Sequence, residues 1–267
     1  MADVLPSPPF VEVPGIYNFR DIGHGQEVRS GLVFRSADPS KATEAGLQKM
    51  SQDLGLKVVF DLRSAQEIAR DGPEWAGVEV DKTQPFEGVG IKREWVPVFA
   101  TQDYGPEAVA IRYQYYTSGK EGFVKAYHDI LKAAPTAYST IFRHLAQPNP
   151  SPCLVHCTAG KDRTGVLVAL LYLLAGVDKD SIAEEYSLTD QGLAPLKPLF
   201  IERLLQNPAL KGNKEGVMTM VSCKKDNMVA TLEMIERDFE SPEAYMKKQC
   251  GMSDQEIEQL KSNLRQG

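Results

Sequence analysis

The chain has 267 residues, long enough for one sizeable core, and its 42% hydrophobic and 25% charged residues are the balance of a soluble globular protein. Thirty lysines and arginines against 36 acidic residues leave a formal charge of −6, which excludes the broadly basic surface that non-specific nucleic-acid binding needs. No repeat at a fixed period and no low-complexity tract points to a second domain.

In chain order, "MADVLPSPPFVEVPGIYNF" shows no basic segment followed by an apolar stretch, so it is not read as a secretory signal. Residues 1–13 are expected to form a proline-stiffened lead-in and 14–267 a single domain. "KVVFDL" (57–62) is a β-branched and aromatic run, followed by "SAQEIAR" with an N-cap serine, so a strand leads into a helix. "IKREWVPVF" (91–99) predicts a second strand and "SPCLVH" (151–156) a third. The pattern is mostly helical from 107 to 147 and again from 163 onward. Ser241 is a predicted N-cap with Pro242 at the first helical position, and Ser253 with Glu256 a capping box. Strands alternating with helices imply an α/β fold with a parallel or mixed sheet, and a helical layer in the C-terminal third.

The longest apolar run, at 166–177, is too short to span a bilayer and predicts a buried core helix, so no integral membrane association is expected. The cysteines at 153, 157, 223 and 250 lack paired metal spacing. On one extended segment Cys153 and Cys157 would lie about 13 Å apart, too far for a disulfide. A reducing, cytoplasmic setting follows.

The run "HCTAGKDRTG" (156–165) joins the third strand to the apolar helix. A loop between a strand's C-terminus and a helix's N-terminus is where oxyanions bind, because successive N–H groups can converge there and the helix dipole adds positive charge. A cysteine at the loop's first position feels the same field, which favours the nucleophilic thiolate. Arg163 can supply the planar fork that holds two phosphate oxygens. At that offset the other cysteines have Ala159, Val229 and Glu256, so the pairing belongs to Cys157 alone. A nucleotide-binding P-loop is excluded, since Val155 and Asp162 stand where its glycine and Ser/Thr would be.

With these residues in view, "HCTAGKDRTG" resembles the signature of the cysteine-dependent tyrosine phosphatase superfamily, and its Lys-Asp-Arg centre an atypical bacterial and fungal branch. "NFRDIG" (18–23), "FRSA" (34–37) and "DLRSAQE" (61–67) follow in that branch's order, and the segment from 226 to 264 is similar to its helical ending. The resemblance implies a tyrosine-phosphatase-like fold with a central, mostly parallel sheet. It implies metal-independent and cofactor-free hydrolysis of a phosphorylated protein or a phosphoinositide. Cys157 would form a phosphocysteine while the amides of Thr158, Ala159, Gly160, Lys161, Asp162 and Arg163, with the Arg163 side chain, hold the phosphoryl oxygens. Thr164 would hydrogen-bond the departing thiolate, and His156 would fix the loop.

The general acid is open among several aspartates. The resembled branch points to Asp162 inside the loop, the wider superfamily to a mobile-loop residue such as Asp103, and Asp21 and Asp61 also compete. Arg20, Asp21, Arg35, Asp61, Arg63 and Glu67 are read as internal ion pairs or phosphate contacts, Lys161 as a solvated residue or a charge for a polyanionic substrate. Tyr113, Tyr115 and Tyr116 are a pocket rim or a packing stripe. Two other function classes share the loop chemistry: a catalytically silent phosphate-binding module and a rhodanese-like sulfurtransferase.

Overall fold

The computed structural model describes residues 5–24, 27–70, 85–99 and 106–265. Their five strands are β1 (Arg20–Asp21), β2 (Val33–Ser36), β3 (Val58–Asp61), β4 (Lys92–Trp95) and β5 (Cys153–His156). The sheet order is β1-β2-β5-β3-β4, with β1 antiparallel to β2 and every other pairing parallel. β5 takes the central place because "CLVH" is buried at all four positions and can be covered on both faces. Successive side chains alternate between faces. Cys153 and Val155 join the larger core cluster with the long helices, whereas Leu154 joins Phe34, Val59, Met50 and Ile91 on the other side.

Ahead of the central loop come α1 (Glu44–Gln48), α2 (Ala65–Arg70), α3 (Pro106–Thr117), α4 (Lys120–Ala133) and α5 (Pro135–Leu145). Behind it come α6 (Asp162–Ala175), α7 (Lys179–Ser187), α8 (Thr189–Gly192), α9 (Lys197–Gln206) and α10 (Lys214–Met220). The chain closes with α11 (Lys225–Phe239), α12 (Pro242–Lys248) and α13 (Asp254–Arg265), the expected helical third. α6 is apolar all round and is packed by α4, α7, α12 and α13, which is the environment such a sequence needs.

The helix-start signals hold in detail. Ser241 accepts from the Ala244 amide at 3.0 Å, and Ser253 and Glu256 exchange reciprocal bonds. Ser64 and Glu67 form a second such reciprocal box at the start of α2. β1 and β2 lie in "NFRDIG" and "FRSA", segments whose strand character the sequence pattern did not reveal. The lead-in ends inside the core: Phe10 and Val13 are buried, and Phe10 bridges to Arg20.

The registers Ser36↔His156 and Asp61↔His156 bring the carboxyl ends of β2, β5 and β3 level. The loops leaving these strands therefore gather at one edge of the sheet, the usual place for a ligand in a parallel arrangement.

Candidate active site

Residues 157–161 form the loop between β5 and α6, and its carbonyls are held from outside. His156 Nδ1 pairs with the Cys157 carbonyl at 3.1 Å, the Asp38 amide with Thr158 at 3.1 Å, and Asn18 Nδ2 with Ala159 at 3.1 Å. Arg35 Nη2 donates to the Gly160 carbonyl at 2.7 Å. In a trans peptide the N–H points opposite to the preceding C=O, so tying these carbonyls outward turns the amides of Thr158, Ala159, Gly160 and Lys161 inward. Those amides donate to no protein atom among the described residues. The result is a nest of N–H groups at the N-terminus of a fourteen-residue helix. Gly160 makes the bend possible: its φ is +63°, and a Cβ there would sit 2.0 Å from the Ser36 carbonyl oxygen.

Cys157 opens the nest and is 2% exposed. Burial pushes the thiols of Cys153, Cys223 and Cys250 each up to about 12, so those three stay protonated at neutral pH. Burial also lowers the His156 ring, consistent with a neutral imidazole whose Nδ1–H donates to the Cys157 carbonyl. The Thr164 hydroxyl is buried in the first turn of α6 and has no hydrogen-bond partner among the described residues.

Arg163 is clamped by Glu67, with Nη1 to Oε2 at 2.6 Å and Nη2 to Oε1 at 2.5 Å. Glu67 also accepts from Thr158 Oγ1 at 2.9 Å, tying the capping box of α2 to both ends of the loop. Tyr138 donates to the Arg163 carbonyl at 2.6 Å. The sequence grouped Glu67 with the internal ion pairs but did not connect it to Arg163.

Asp162 and Lys161 part company. Asp162 lines a cavity of 250 Å³ and accepts from the Tyr127 hydroxyl at 2.8 Å. Lys161 is only 5% exposed: its ammonium bonds the Met220 carbonyl and lies 5.0 Å from the Phe123 ring and 3.4 Å from Asp162 Oδ1. It is therefore not a solvated residue: the aromatic face of α4 and the end of α10 enclose its ammonium, at the border of the cavity that Asp162 also lines. Only its backbone amide remains in the nest.

The arginines of the early motifs are spent internally. Arg20 and Arg35 both bond Glu185, at 2.6 Å each, and Arg63 and Arg93 both bond Asp61. Burial alone would raise the Asp61 and Glu185 carboxyls, but His156, Arg63 and Arg93 hold the first, and Arg20 and Arg35 the second, below the usual carboxylate range. Asp61 is thus unsuited to carry a transferable proton. Asp21 caps the turn at Gly23 and Gly31, away from the loop. Asp103 lies outside the described residues. Tyr116 is both packing and rim: it is buried against Phe123 and borders the cavity.

The cavity beside the loop has apolar walls, Leu193, Phe200, Leu204 and Val221, with Lys197 and Arg203 among its borders. Among the described residues no group of three or more His, Cys, Asp or Glu side chains could hold a metal ion, and no helix is long and apolar enough to cross a membrane.

The sequence pattern described as "Tyrosine phosphatase family" matches residues 11–266. The triple specificity protein phosphatase PtpB of Mycobacterium tuberculosis is 30% identical over 214 residues, 73% of this chain and 74% of that protein. A tyrosine-protein phosphatase of Nostoc commune is 28% identical over 234 residues, 87% of this chain and 74% of its own. The solved Siw14 catalytic core aligns over 84% of this chain and 95% of that one, at 16% identity and a TM-score of 0.35.

Proposed function

The chain belongs to the tyrosine phosphatase family and is a phosphatase; from that premise we propose that it hydrolyses phosphomonoesters through a phosphocysteine on Cys157. The observation that carries this reading is the loop whose carbonyls are tied outward, leaving inward amides around the cysteine. Cys157 Sγ attacks phosphorus as the bond to the leaving oxygen breaks, and Asp162 gives that oxygen its proton. The three equatorial oxygens take hydrogen bonds from the amides of Thr158 through Arg163 and from the Arg163 guanidinium, whose plane Glu67 sets. Water then releases phosphate, and the buried Thr164 hydroxyl donates to the thiolate that departs. Charge is carried by amides and a guanidinium, so the chemistry needs no metal or cofactor.

The substrate we favour is phosphotyrosine in protein, since the apolar walls of Leu193, Phe200 and Leu204 suit an aromatic ring beside the loop. Phosphoserine, phosphothreonine and phosphoinositides are secondary substrates to test, given the printed triple specificity of the PtpB relative. We place the protein in the cytoplasm, where its four free cysteines would stay reduced. Neither the silent binding module nor the sulfurtransferase is favoured by any particular observation.

The test is release of phosphate from an aryl phosphate in the presence of EDTA. Turnover is expected, as are inhibition by vanadate and its abolition in Cys157→Ser, which keeps vanadate binding because the nest is mostly backbone. Activity retained by Cys157→Ser, or lost on chelation, overturns the mechanism, and thiocyanate formation from thiosulfate and cyanide would point to sulfur transfer instead.

A further inference from the structure

The Tyr127 and Tyr186 hydroxyls, from α4 and α7, are 2.7 Å apart, and their side chains are 0% and 1% exposed. Tyr127 also donates to Asp162 Oδ1 at 2.8 Å. That bond uses Tyr127's own proton, so Tyr186 must donate to the Tyr127 oxygen, and the chain runs Tyr186 to Tyr127 to Asp162. Burial above all, with the charge of Asp162 adding to it, raises both phenols well above their ordinary value, so both remain donors. Asp162 Oδ2 has no hydrogen-bond partner among the described residues.

Packing alone does not account for these hydroxyls. A pair of phenylalanines would fill the same space, and replacing two mutually bonded buried polar groups by apolar ones of the same shape is close to neutral. Two buried hydroxyls ending on a loop carboxylate have a use only if the position of that carboxylate matters. One oxygen is fixed toward the interior, which leaves Oδ2 for the cavity that Asp162 lines.

We propose that Tyr127, backed by Tyr186, is a positioning residue that holds Asp162 by Oδ1 so that Oδ2 carries the proton to the leaving oxygen. This rests on the reading of Asp162 as the general acid. As the sulfur–phosphorus bond forms and the phosphorus–oxygen bond breaks, the Oδ2 proton moves to the departing oxygen. The carboxylate left behind keeps the Tyr127 hydrogen bond and the Lys161 ammonium, 3.4 Å from Oδ1.

The experiment compares kcat/KM, which covers the steps through phosphocysteine formation, for phenyl phosphate and 2,4-dinitrophenyl phosphate; the second leaves without protonation. Tyr127→Phe is expected to lose about tenfold on phenyl phosphate and less than about twofold on the dinitrophenyl ester, a split that a merely structural role would not produce. Tyr186→Phe should show the same split, smaller in size, and tests the chain should Tyr127→Phe fail to fold. In an Asp162→Asn background, Tyr127→Phe should cost nothing further. Equal losses on both esters, or a Tyr127 effect that persists without the carboxylate, overturn the inference while leaving Asp162 as acid. If Asp162→Asn itself loses the same factor on both esters, the acid assignment falls and the inference with it.

Discussion

Replacing Glu67 by glutamine tests whether the plane of Arg163 is set by its carboxylate. Glu67 accepts from Arg163 at 2.6 and 2.5 Å, from Thr158 Oγ1 at 2.9 Å, and from the Ser64 amide and hydroxyl at 3.0 and 3.1 Å. Glutamine keeps one acceptor oxygen and turns the other into an NH2 group. Either orientation of the amide sets that NH2 against a guanidinium nitrogen of Arg163, which can only donate. Glu67 and Arg163 are 18% and 11% exposed, so the pair is shielded enough for its charge-assisted bonds to matter. Losing half the fork and its charge costs about 2–3 kcal/mol, at the scale of one or two hydrogen bonds to charged groups. Because part of that cost falls on folding, kcat/KM for an aryl phosphate should drop about 10- to 100-fold. Ser64→Ala removes only the capping bonds and should lower the melting temperature while changing kcat/KM less than about threefold. Initial rates and thermal melts of the two variants decide the matter. A Glu67→Gln enzyme within twofold of the parent would refute the idea that this carboxylate orients the guanidinium.

Gly160→Ala should destabilise by about 2–4 kcal/mol and abolish turnover, since the left-handed φ and the Ser36 carbonyl together force the loop to move; urea unfolding at parental activity would contradict this. Stability should fall on acidification in two stages. His156 binds a proton less readily folded than unfolded, so its contribution is complete above about pH 6.5 and is lost as pH falls below that value. Asp61 and Glu185 are likewise depressed in the folded state, so theirs is present above about pH 4 and lost below it. Melting scans should therefore show a first decline between about pH 7 and 5 that His156→Gln flattens, and an unchanged slope in that variant would assign the decline to other groups.

What the sequence determined by itself is what short-range geometry determines. The loop cysteine, the nest and the arginine fall within ten consecutive residues, between a strand ending at His156 and a helix beginning at Asp162. β3 and β5 were legible from apolar or β-branched runs and β4 from its alternating character, and three capping boxes or caps from Ser64, Ser241 and Ser253. β1 and β2 were not, because "RD" and "VFRS" carry the buried Arg20 and Arg35, whose shared partner Glu185 stands 165 and 150 positions further along the chain. Tertiary structure alone brought Glu67 to Arg163 across 96 positions and Tyr127 to Asp162 across 35. It also turned Lys161 inward. A side chain's destination depends on which helices pack over its loop, and the covering α3, α4 and α10 are placed by the apolar core rather than by the loop's own residues. A buried phenol or carboxylate leaves no local pattern in the chain, since its hydrogen-bond partner is chosen by long-range packing and not by spacing.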